Sequence, residues 1–87
     1  MAWDVRIVAA AKYDVKRVLR SPYRDTYLSI LSGLYRNPYE PTHSFEKLQP
    51  PAAGLYSKRI TGEHRVVYSV DKDKRRVKIL AAWTHYQ

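Results

Sequence analysis

One carboxylate, a basic cluster and a histidine–tyrosine pair are the groups whose types and spacing could do chemistry in this chain. Glu46 lies in a proline-rich stretch, Lys58-Arg59 and Arg65 fall in two neighbouring apolar segments, and His85-Tyr86 follows a third. Transesterification of RNA needs a base for the 2′-OH proton, an acid for the departing 5′-oxygen and fixed positive charge at phosphorus. Glutamate, histidine and arginine can supply these functions without a metal ion or cofactor. Basic domains without catalysis also carry such residues, so the spacing alone leaves a non-catalytic surface open.

Length and composition predict one small folded domain over residues 1–87. The chain is 45% hydrophobic and 28% charged, which is too apolar for a disordered protein. Its longest apolar runs, Ile7 to Ala11 and Ile79 to Trp83, are far shorter than the ~18 residues of a membrane-spanning helix. Asp4 stands where a signal peptide requires positive charge, so we expect a soluble cytoplasmic protein with no membrane partner.

Two kinds of chemistry are excluded or disfavoured by the residue types. The chain has no cysteine, which excludes disulfides and thiolate catalysis. Its three histidines are scattered and lack the spacing of a structural zinc site. We therefore expect neither a bound metal nor a cofactor.

The net charge points to an anionic partner. Sixteen Lys and Arg residues against eight Asp and Glu give a formal charge of +8. Such a balance creates an attractive field for RNA, DNA or an acidic protein. The basic groups include Lys12, Lys16, Arg17 and Arg20 in the first half and the group from Lys72 to Lys78 in the second. A solvated surface with no specific partner is the alternative.

The apolar spacing predicts a strand followed by two helices. Residues 3–9 predict a short half-buried strand, because apolar and charged residues alternate over the first five of these positions. Apolar residues then recur every three or four positions, which predicts a helix from Ala10 to Arg20. Ser21-Pro22 is typical of a helix start, and Asn37-Pro38 of a helix end, so a second helix is expected between them.

Three further strands are expected after the proline-rich segment 38–54. They are predicted over Leu55 to Ile60, His64 to Val70 and Arg75 to Tyr86, with Gly62 supplying a positive φ in the first turn. The order β-α-α-β-β-β predicts an α+β fold in which two N-terminal helices pack on one face of a mostly antiparallel four-stranded sheet. The other face would remain open as a groove.

Alternation along the strand predicted from His64 to Val70 indicates which of its residues face the groove. Arg65, Val67 and Ser69 fall on one face, whereas Val66, Tyr68 and Val70 fall on the face expected to pack on the helices. The last strand is apolar on both faces, so its periodicity does not orient it. His64 and Trp83 are interpreted as structural residues.

Three stretches also follow a specific pattern of residues. Residues 37–40 read NPYE and 45–48 read FEKL, residues 54–70 read GLYSKRITGEHRVVYSV, and His85-Tyr86 completes the pattern. In these positions the chain resembles the YoeB/Txe branch of the RelE toxin superfamily. The resemblance implies a RelE-like, microbial-ribonuclease-like fold and a toxin of a type II toxin–antitoxin system. Such toxins enter the ribosomal A site, cleave mRNA there and are neutralised by a cognate acidic antitoxin.

The resemblance also implies roles for individual residues. Glu46 resembles the general base, Arg65 the phosphate-stabilising arginine and His85 the general acid of the family. Tyr86 resembles the tyrosine that orients or stacks on the substrate. The remaining positions expected to bind substrate phosphate are Arg59, Lys58, Lys47 and Gln49, the last of which stands where the family often has lysine.

The implied partners are the antitoxin, the 70S ribosome with its rRNA, and mRNA. Operator DNA would be bound only through the antitoxin complex, and a homodimer is possible. Two alternatives stay open beside the nuclease. One is a catalytically weak relative that acts with its antitoxin as a DNA-binding, autoregulatory module, which Gln49 mildly favours. The other is a gyrase-inhibiting ParE-type toxin, a branch that usually lacks the four residues Glu46, Arg65, His85 and Tyr86.

Overall fold

Two helices cover one face of a five-stranded sheet. The computed structural model describes residues 2–50 and 53–84, apart from the side chain of Thr84. The strands are β1 (Asp4–Ile7), β2 (Glu46–Lys47), β3 (Leu55–Arg59), β4 (Arg65–Asp71) and β5 (Arg76–Thr84), and the helices are α1 (Lys12–Leu19) and α2 (Arg24–Arg36). No helix within the described ranges is long and apolar enough to cross a membrane.

The sheet has the spatial order β1-β5-β4-β3-β2. β1 runs parallel to β5, and the other three pairs are antiparallel. The α+β class and the mostly antiparallel sheet are therefore as predicted, but the number of strands is five rather than four. The additional strand, β2, contains only Glu46 and Lys47, which is too short to produce an alternating pattern in the sequence.

Both helices bury the apolar stripe that the sequence predicts. α1 buries Val15 and Val18, and a 3₁₀ turn over Ala9–Ala11 replaces the first turn of the predicted helix. Regular α2 begins at Arg24, two residues after Pro22, the predicted first helical position. The observed N-cap is Tyr23 rather than Ser21, and the Ser21 hydroxyl accepts the Tyr23 N–H at 3.1 Å in the turn before the helix. Asn37 is extended and ends α2 as predicted.

The core lies between the helices and one face of β4 and β5. Val66 and Tyr68 are fully buried in it, whereas Arg65 and Ser69 on the same strand are only half-buried. Val70 packs against this core as a half-buried residue, so the predicted core face is confirmed. Val67, which the alternation places on the open face, lies outside the core cluster but is also buried, so that face is not open at Val67. The Tyr68 hydroxyl donates to the carbonyl oxygen of Pro38 at 2.6 Å, so the phenol is buried with its polar atom satisfied.

Irregular pairing along β5 explains why its periodicity does not orient it. Val77 and Ile79 are fully buried in the core, and so is Ala82, which is three residues after Ile79 rather than two. The pairing register with β4 shifts on both sides of Val67, leaving extra residues on β5. Such bulges exchange the two faces of a strand along its length. A constant period of two therefore fails.

The turn between β3 and β4 differs from the prediction. Gly62 does not have a positive φ, and the glycine that does is Gly54, at φ 67. The turn is closed instead by the Thr61 hydroxyl, which accepts the N–H groups of Glu63 at 3.0 Å and His64 at 3.2 Å. A side-chain acceptor can thus replace the left-handed glycine that the sequence suggested.

Candidate active site

The loop over residues 37–45, which leads to the candidate base Glu46, is held from the core side of the sheet by a buried lysine. Lys58 of β3 is fully buried, and its ammonium donates to the Glu40 carbonyl oxygen and to the Thr42 hydroxyl, both at 2.9 Å. The same ammonium lies 5.6 Å from the ring centroid of Phe45. Burial lowers the pKa of Lys58, and the Glu40 carboxylate partly opposes this effect. A single side chain therefore contacts three positions of the loop over residues 37–45.

A stack of aromatic rings holds the end of this loop against the sheet. The ring of Phe45 stacks on that of Tyr56 with centroids 5.6 Å apart, and Tyr56 in turn lies 6.0 Å from Tyr68. The backbone continues from Phe45 into β2, where Glu46 pairs with Ser57 of β3. Because side chains alternate along a strand, anchoring Phe45 on the core face directs Glu46 to the open face.

On the open face, Glu46 meets Arg65 and Ser57. The Arg65 Nη1 donates to the Glu46 Oε2 at 2.5 Å and to the Ser57 hydroxyl at 3.0 Å. The Glu46 side chain is 55% exposed and that of Arg65 18%, so the carboxylate is open to solvent while the guanidinium is held. Both bonds use Nη1. Arg65 therefore keeps three N–H donors on Nε and Nη2 with no partner among the described residues.

Arg59 lies directly beside this group. It pairs with Arg65 across β3 and β4, which places the two guanidinium groups on the same face. The Arg59 Nε is buried and has no hydrogen-bond partner in the part of the chain that the structure describes. An unsatisfied buried donor is costly, and an anionic oxygen of a ligand would satisfy it. The expected phosphate contact of Arg59 stays a prediction.

The candidate acid and its tyrosine neighbour, His85 and Tyr86, lie outside the described residues. The strand that precedes them reaches the site, because Thr84 pairs with Arg65 across β4 and β5. His85 is therefore joined by one peptide bond to a residue that is opposite Arg65. The predicted grouping of Glu46 and Arg65 with His85 stays a prediction.

Two of the residues predicted to bind phosphate fall on the face of the sheet away from Arg65. Lys58 holds the loop from the core side, as described above. Lys47 alternates with Glu46 along β2 and faces Tyr56, whose ring centroid is 6.0 Å from its ammonium. Gln49 is exposed and follows the last residue of β2 by two positions. The structure thus groups Glu46, Arg59 and Arg65, together with Ser57, which sequence analysis did not single out. The sequence could have indicated Ser57, because it is two residues from Arg59 and side chains two residues apart on a strand lie on the same face.

The end of β5 is packed into a second group of aromatic and basic side chains. The Trp83 ring stacks on that of His64, with centroids 4.1 Å apart and planes 8° from parallel. The Arg17 guanidinium of α1 lies 5.7 Å from the same indole, and the Tyr23 ring lies 5.8 Å from it. This agrees with the structural interpretation of His64 and Trp83. These contacts also pack the end of β5 against the helical layer.

An ion pair stabilises the start of the loop on the other side of Lys58. Glu40 accepts two hydrogen bonds from Arg36, one from Nε at 3.0 Å and one from Nη2 at 2.9 Å. These bonds hold the pKa of the Glu40 carboxyl below its usual range.

His43 lies in the same loop, where burial and the Lys58 charge lower the pKa of its imidazole. Its Nδ1 has no hydrogen-bond partner among the described residues, and neutral histidine is favoured there.

Comparison with solved structures shows that this architecture is shared with bacterial toxins. A YoeB/ParE toxin from Agrobacterium tumefaciens matches with a TM-score of 0.82 and 25% identity, over 95% of this chain and 99% of that one. YoeB from Staphylococcus aureus, solved as a dimer, matches with a TM-score of 0.80 and 29% identity, over 99% and 100%. A heterotetrameric YoeB–YefM complex from the same organism matches with a TM-score of 0.77, 29% identity and the same coverage. No curated protein sequence has significant similarity to this chain.

The two helices packed on one face of this sheet, and the agreement with these solved toxins, define the structural class as the RelE-like fold. The chain belongs to the YoeB-like toxins of bacterial type II toxin–antitoxin systems, whose family model matches residues 2–86. The family predicted from the motifs is thereby confirmed over nearly the whole chain.

The contacts of Lys58 predict an unequal effect of removing two neighbouring lysine charges. Lys58→Met should lower the free energy of unfolding by about 1–3 kcal/mol, because the Glu40 carbonyl and the Thr42 hydroxyl lose their donor. Lys47→Met removes the same charge from an exposed position and should change it by less than about 0.5 kcal/mol. Urea denaturation measures both values. Equal effects of the two substitutions would contradict the anchoring role of Lys58.

The Arg36–Glu40 pair predicts how stability falls in acid. A carboxyl group with a lowered pKa in the folded state stabilises the protein above its unfolded pKa. This contribution is lost as the pH falls through the folded-state pKa. Glu40→Gln should therefore be less stable than the wild type at neutral pH and lose less stability on acidification. Glu63→Gln, at an exposed carboxylate, is the control. Urea midpoints from neutral pH to about pH 3 measure this, and parallel curves for Glu40→Gln and the wild type would refute it.

Proposed function

We propose that this toxin is a ribosome-dependent mRNA endoribonuclease that inhibits translation by cleaving mRNA in the ribosomal A site. The observation that carries the proposal is the contact of Glu46 with Arg65 on the open sheet face, opposite the residue that precedes His85. The contact joins a solvent-exposed carboxylate to a held cation, which are the groups needed for a base and for charge stabilisation. The gyrase-inhibiting and non-catalytic alternatives give no reason for this grouping.

The proposed reaction is a transesterification within the RNA backbone. Glu46 takes the proton of a ribose 2′-OH, and the 2′-oxygen forms a bond to the adjacent phosphorus. The bond from phosphorus to the 5′-oxygen breaks, and His85 gives a proton to that oxygen. The products are a 2′,3′-cyclic phosphate and a 5′-hydroxyl. Arg65 and Arg59 would donate to the phosphoryl oxygens, where negative charge increases in the transition state.

The role of Arg65 changes between the free protein and the proposed complex. In the free protein it neutralises Glu46, and its Nη2 and Nε donors are available to a phosphate. A phosphate at these donors would share the guanidinium with Glu46, so that one side chain would contact both the proposed base and the phosphoryl oxygens. Tyr86 is proposed to orient or stack on the substrate. Gln49 would supply a hydrogen bond without the charge of the usual lysine, so transition-state stabilisation at this position would be weaker.

The ribosome would align the mRNA with the proposed catalytic residues, because the open sheet face alone does not fix the position of an RNA strand. Positioning reactants can account for roughly 7–11 kcal/mol of a barrier, so free RNA would be cut much more slowly than mRNA held in the A site. A formal charge of +8 provides the long-range attraction to rRNA phosphates. The proposed cellular location is accordingly the cytoplasm, where translation takes place.

An acidic antitoxin is the second proposed partner. The S. aureus relative occurs in a heterotetrameric complex with YefM and also as a dimer, and we extend both forms of assembly to this chain. A partly disordered acidic segment that folds onto the basic surface would gain affinity from charge complementarity and cover the groove. Operator DNA would be bound through that complex rather than by the toxin alone.

The cleavage proposal is tested by mapping mRNA 3′ ends in a translating bacterial extract. The wild type should cut at one phase of the codon only when ribosomes are present. Glu46→Gln and His85→Ala should each lower the rate at least about 100-fold, the usual scale for loss of a catalytic base or acid. Glu63→Gln, in the turn before Arg65, should cut at the wild-type rate.

Two results would count against a nuclease. One is the absence of ribosome-dependent cuts by the wild type in an extract where antitoxin binding is intact, which would favour the non-catalytic module. The other is an equal loss of cutting in Glu46→Gln and Glu63→Gln.

The antitoxin proposal predicts a tight complex with the acidic protein encoded beside this toxin. A calorimetric titration should saturate at a fixed stoichiometry, and the affinity should weaken as the salt concentration rises, since the attraction is between opposite charges. A titration without binding heat, repeated at a second temperature to exclude a zero enthalpy, would contradict it.

A further inference from the structure

A second cationic pocket lies on the open face, at the end of the sheet away from Glu46. It has a volume of about 180 Å³ and lies where the β4–β5 turn meets the two strands. Its lining consists of Ser69, Val70, Asp71, Lys74, Arg76 and Lys78. None of these residues belongs to the group around Arg65.

The pairing of three strands brings the positive charges of this pocket together. Lys78 of β5 pairs with Ser69 of β4 on one side and with Arg6 of β1 on the other. The Asp71 carboxylate accepts the backbone N–H of Lys74 at 3.1 Å and so fixes the turn. Val77, between Arg76 and Lys78, is fully buried in the core, so these two cations must face the open side.

The charges of the pocket are only partly neutralised. Asp4, which lies outside the lining, accepts a hydrogen bond from Arg76 at 3.1 Å and thereby holds this guanidinium group. The two lysines, Lys74 and Lys78, are exposed and have no salt bridge within the part of the chain that the structure describes. The lining thus has three cations and one carboxylate, that of Asp71, and the two free ammonium groups can turn toward a ligand anion.

The pocket and the candidate active site share one continuous surface. Arg65, Val67 and Ser69 alternate along the same face of β4, and Ser69 is four residues from Arg65, which is about 13 Å along a strand. Leu55, opposite Ser69, and Ser57, opposite Val67, form the neighbouring row on β3. Val67 and Ser57 are buried and Leu55 is half-buried, so these residues form the floor between the two cationic ends. Two phosphates of one nucleic-acid strand, a few nucleotides apart, could each meet one of these ends.

We propose that this pocket binds a backbone phosphate of the RNA strand, a few nucleotides from the phosphate held by Arg65. The inference rests on the proposed function, since it assigns the same substrate to both ends of the face. Lys74, Lys78 and Arg76 donate to the phosphate oxygens, and the Ser69 hydroxyl provides a further donor. The pocket thereby fixes the direction in which the strand crosses the sheet.

The test compares two RNA lengths and two pairs of lysines. The probes are a 2′-O-methyl trinucleotide, which fits one end of the face, and a 2′-O-methyl decanucleotide, which spans both. Neither can be cleaved, because the attacking hydroxyl is blocked. The test variant is Lys74→Gln with Lys78→Gln. The matched control is Lys12→Gln with Lys16→Gln, which removes the same charge from exposed positions of α1, on the other side of the sheet.

We expect the test variant to bind the decanucleotide about tenfold more weakly at low ionic strength and the trinucleotide within about twofold of the wild type. The slope of log affinity against log salt should fall in magnitude by roughly 0.7, the value for one phosphate on a single strand. The control pair should change the decanucleotide affinity less than about twofold. Unchanged trinucleotide binding also shows that the test variant is folded.

Other outcomes overturn the assignment. They are equal losses in the test and control pairs, an unchanged decanucleotide affinity, or no decanucleotide binding by the wild type. Loss of affinity only for the acidic antitoxin would assign the pocket to that protein instead. Because the probes cannot be cut, the result is independent of the cleavage experiment. A nuclease with unchanged decanucleotide binding would refute the pocket alone, and a phosphate pocket without cleavage would refute the nuclease alone.

Discussion

The buried ammonium of Lys58 is the contact on which the geometry of the site depends. An uncompensated buried charge is costly, so this residue is tolerated only where oxygen atoms surround it. The loop after α2 supplies those oxygens from Glu40 and Thr42, and in doing so it is drawn down onto β3. The loop in turn delivers Phe45 to the aromatic stack and Glu46 to the opposite face. The position of a solvent-exposed carboxylate is thus set by a cation that never reaches the surface.

One face of the sheet stabilises the fold, and the other presents charged side chains to a ligand. On one face, buried aliphatic and tyrosine side chains pack on α1 and α2, and the hydroxyl of Tyr68 is satisfied by the loop. The other face carries side chains that charge pairs hold in place, such as Arg65 with Glu46 and Arg76 with Asp4. These pairs add little to stability because they are exposed on at least one side. Their effect is to present guanidinium groups in fixed directions to a ligand.

The sequence predicts those parts of the structure that follow from local periodicity. The alternation of Val66 and Tyr68 with Arg65 identifies the core face, and Asn37 marks the end of α2. Features that depend on distant partners were not predictable. Lys58 reads as a surface cation, because only the folded loop shows that its ammonium is enclosed. The two-residue strand at Glu46 exists only because Ser57 and its neighbour offer a free edge. The bulges of β5 break the very regularity on which such prediction relies.

The parallel pairing of β1 with β5 has a consequence for the order in which the protein forms during synthesis. Asp4 pairs with Arg76, so the first strand to leave the ribosome waits for almost the last. β5 lies between β1 and β4 in the sheet, and without it neither has its main neighbour. Contacts so far apart in sequence close slowly, and a nascent chain cannot form them until β5 has been synthesised. The fold itself therefore prevents the sheet, and the toxin surface that it carries, from assembling before β5 is available.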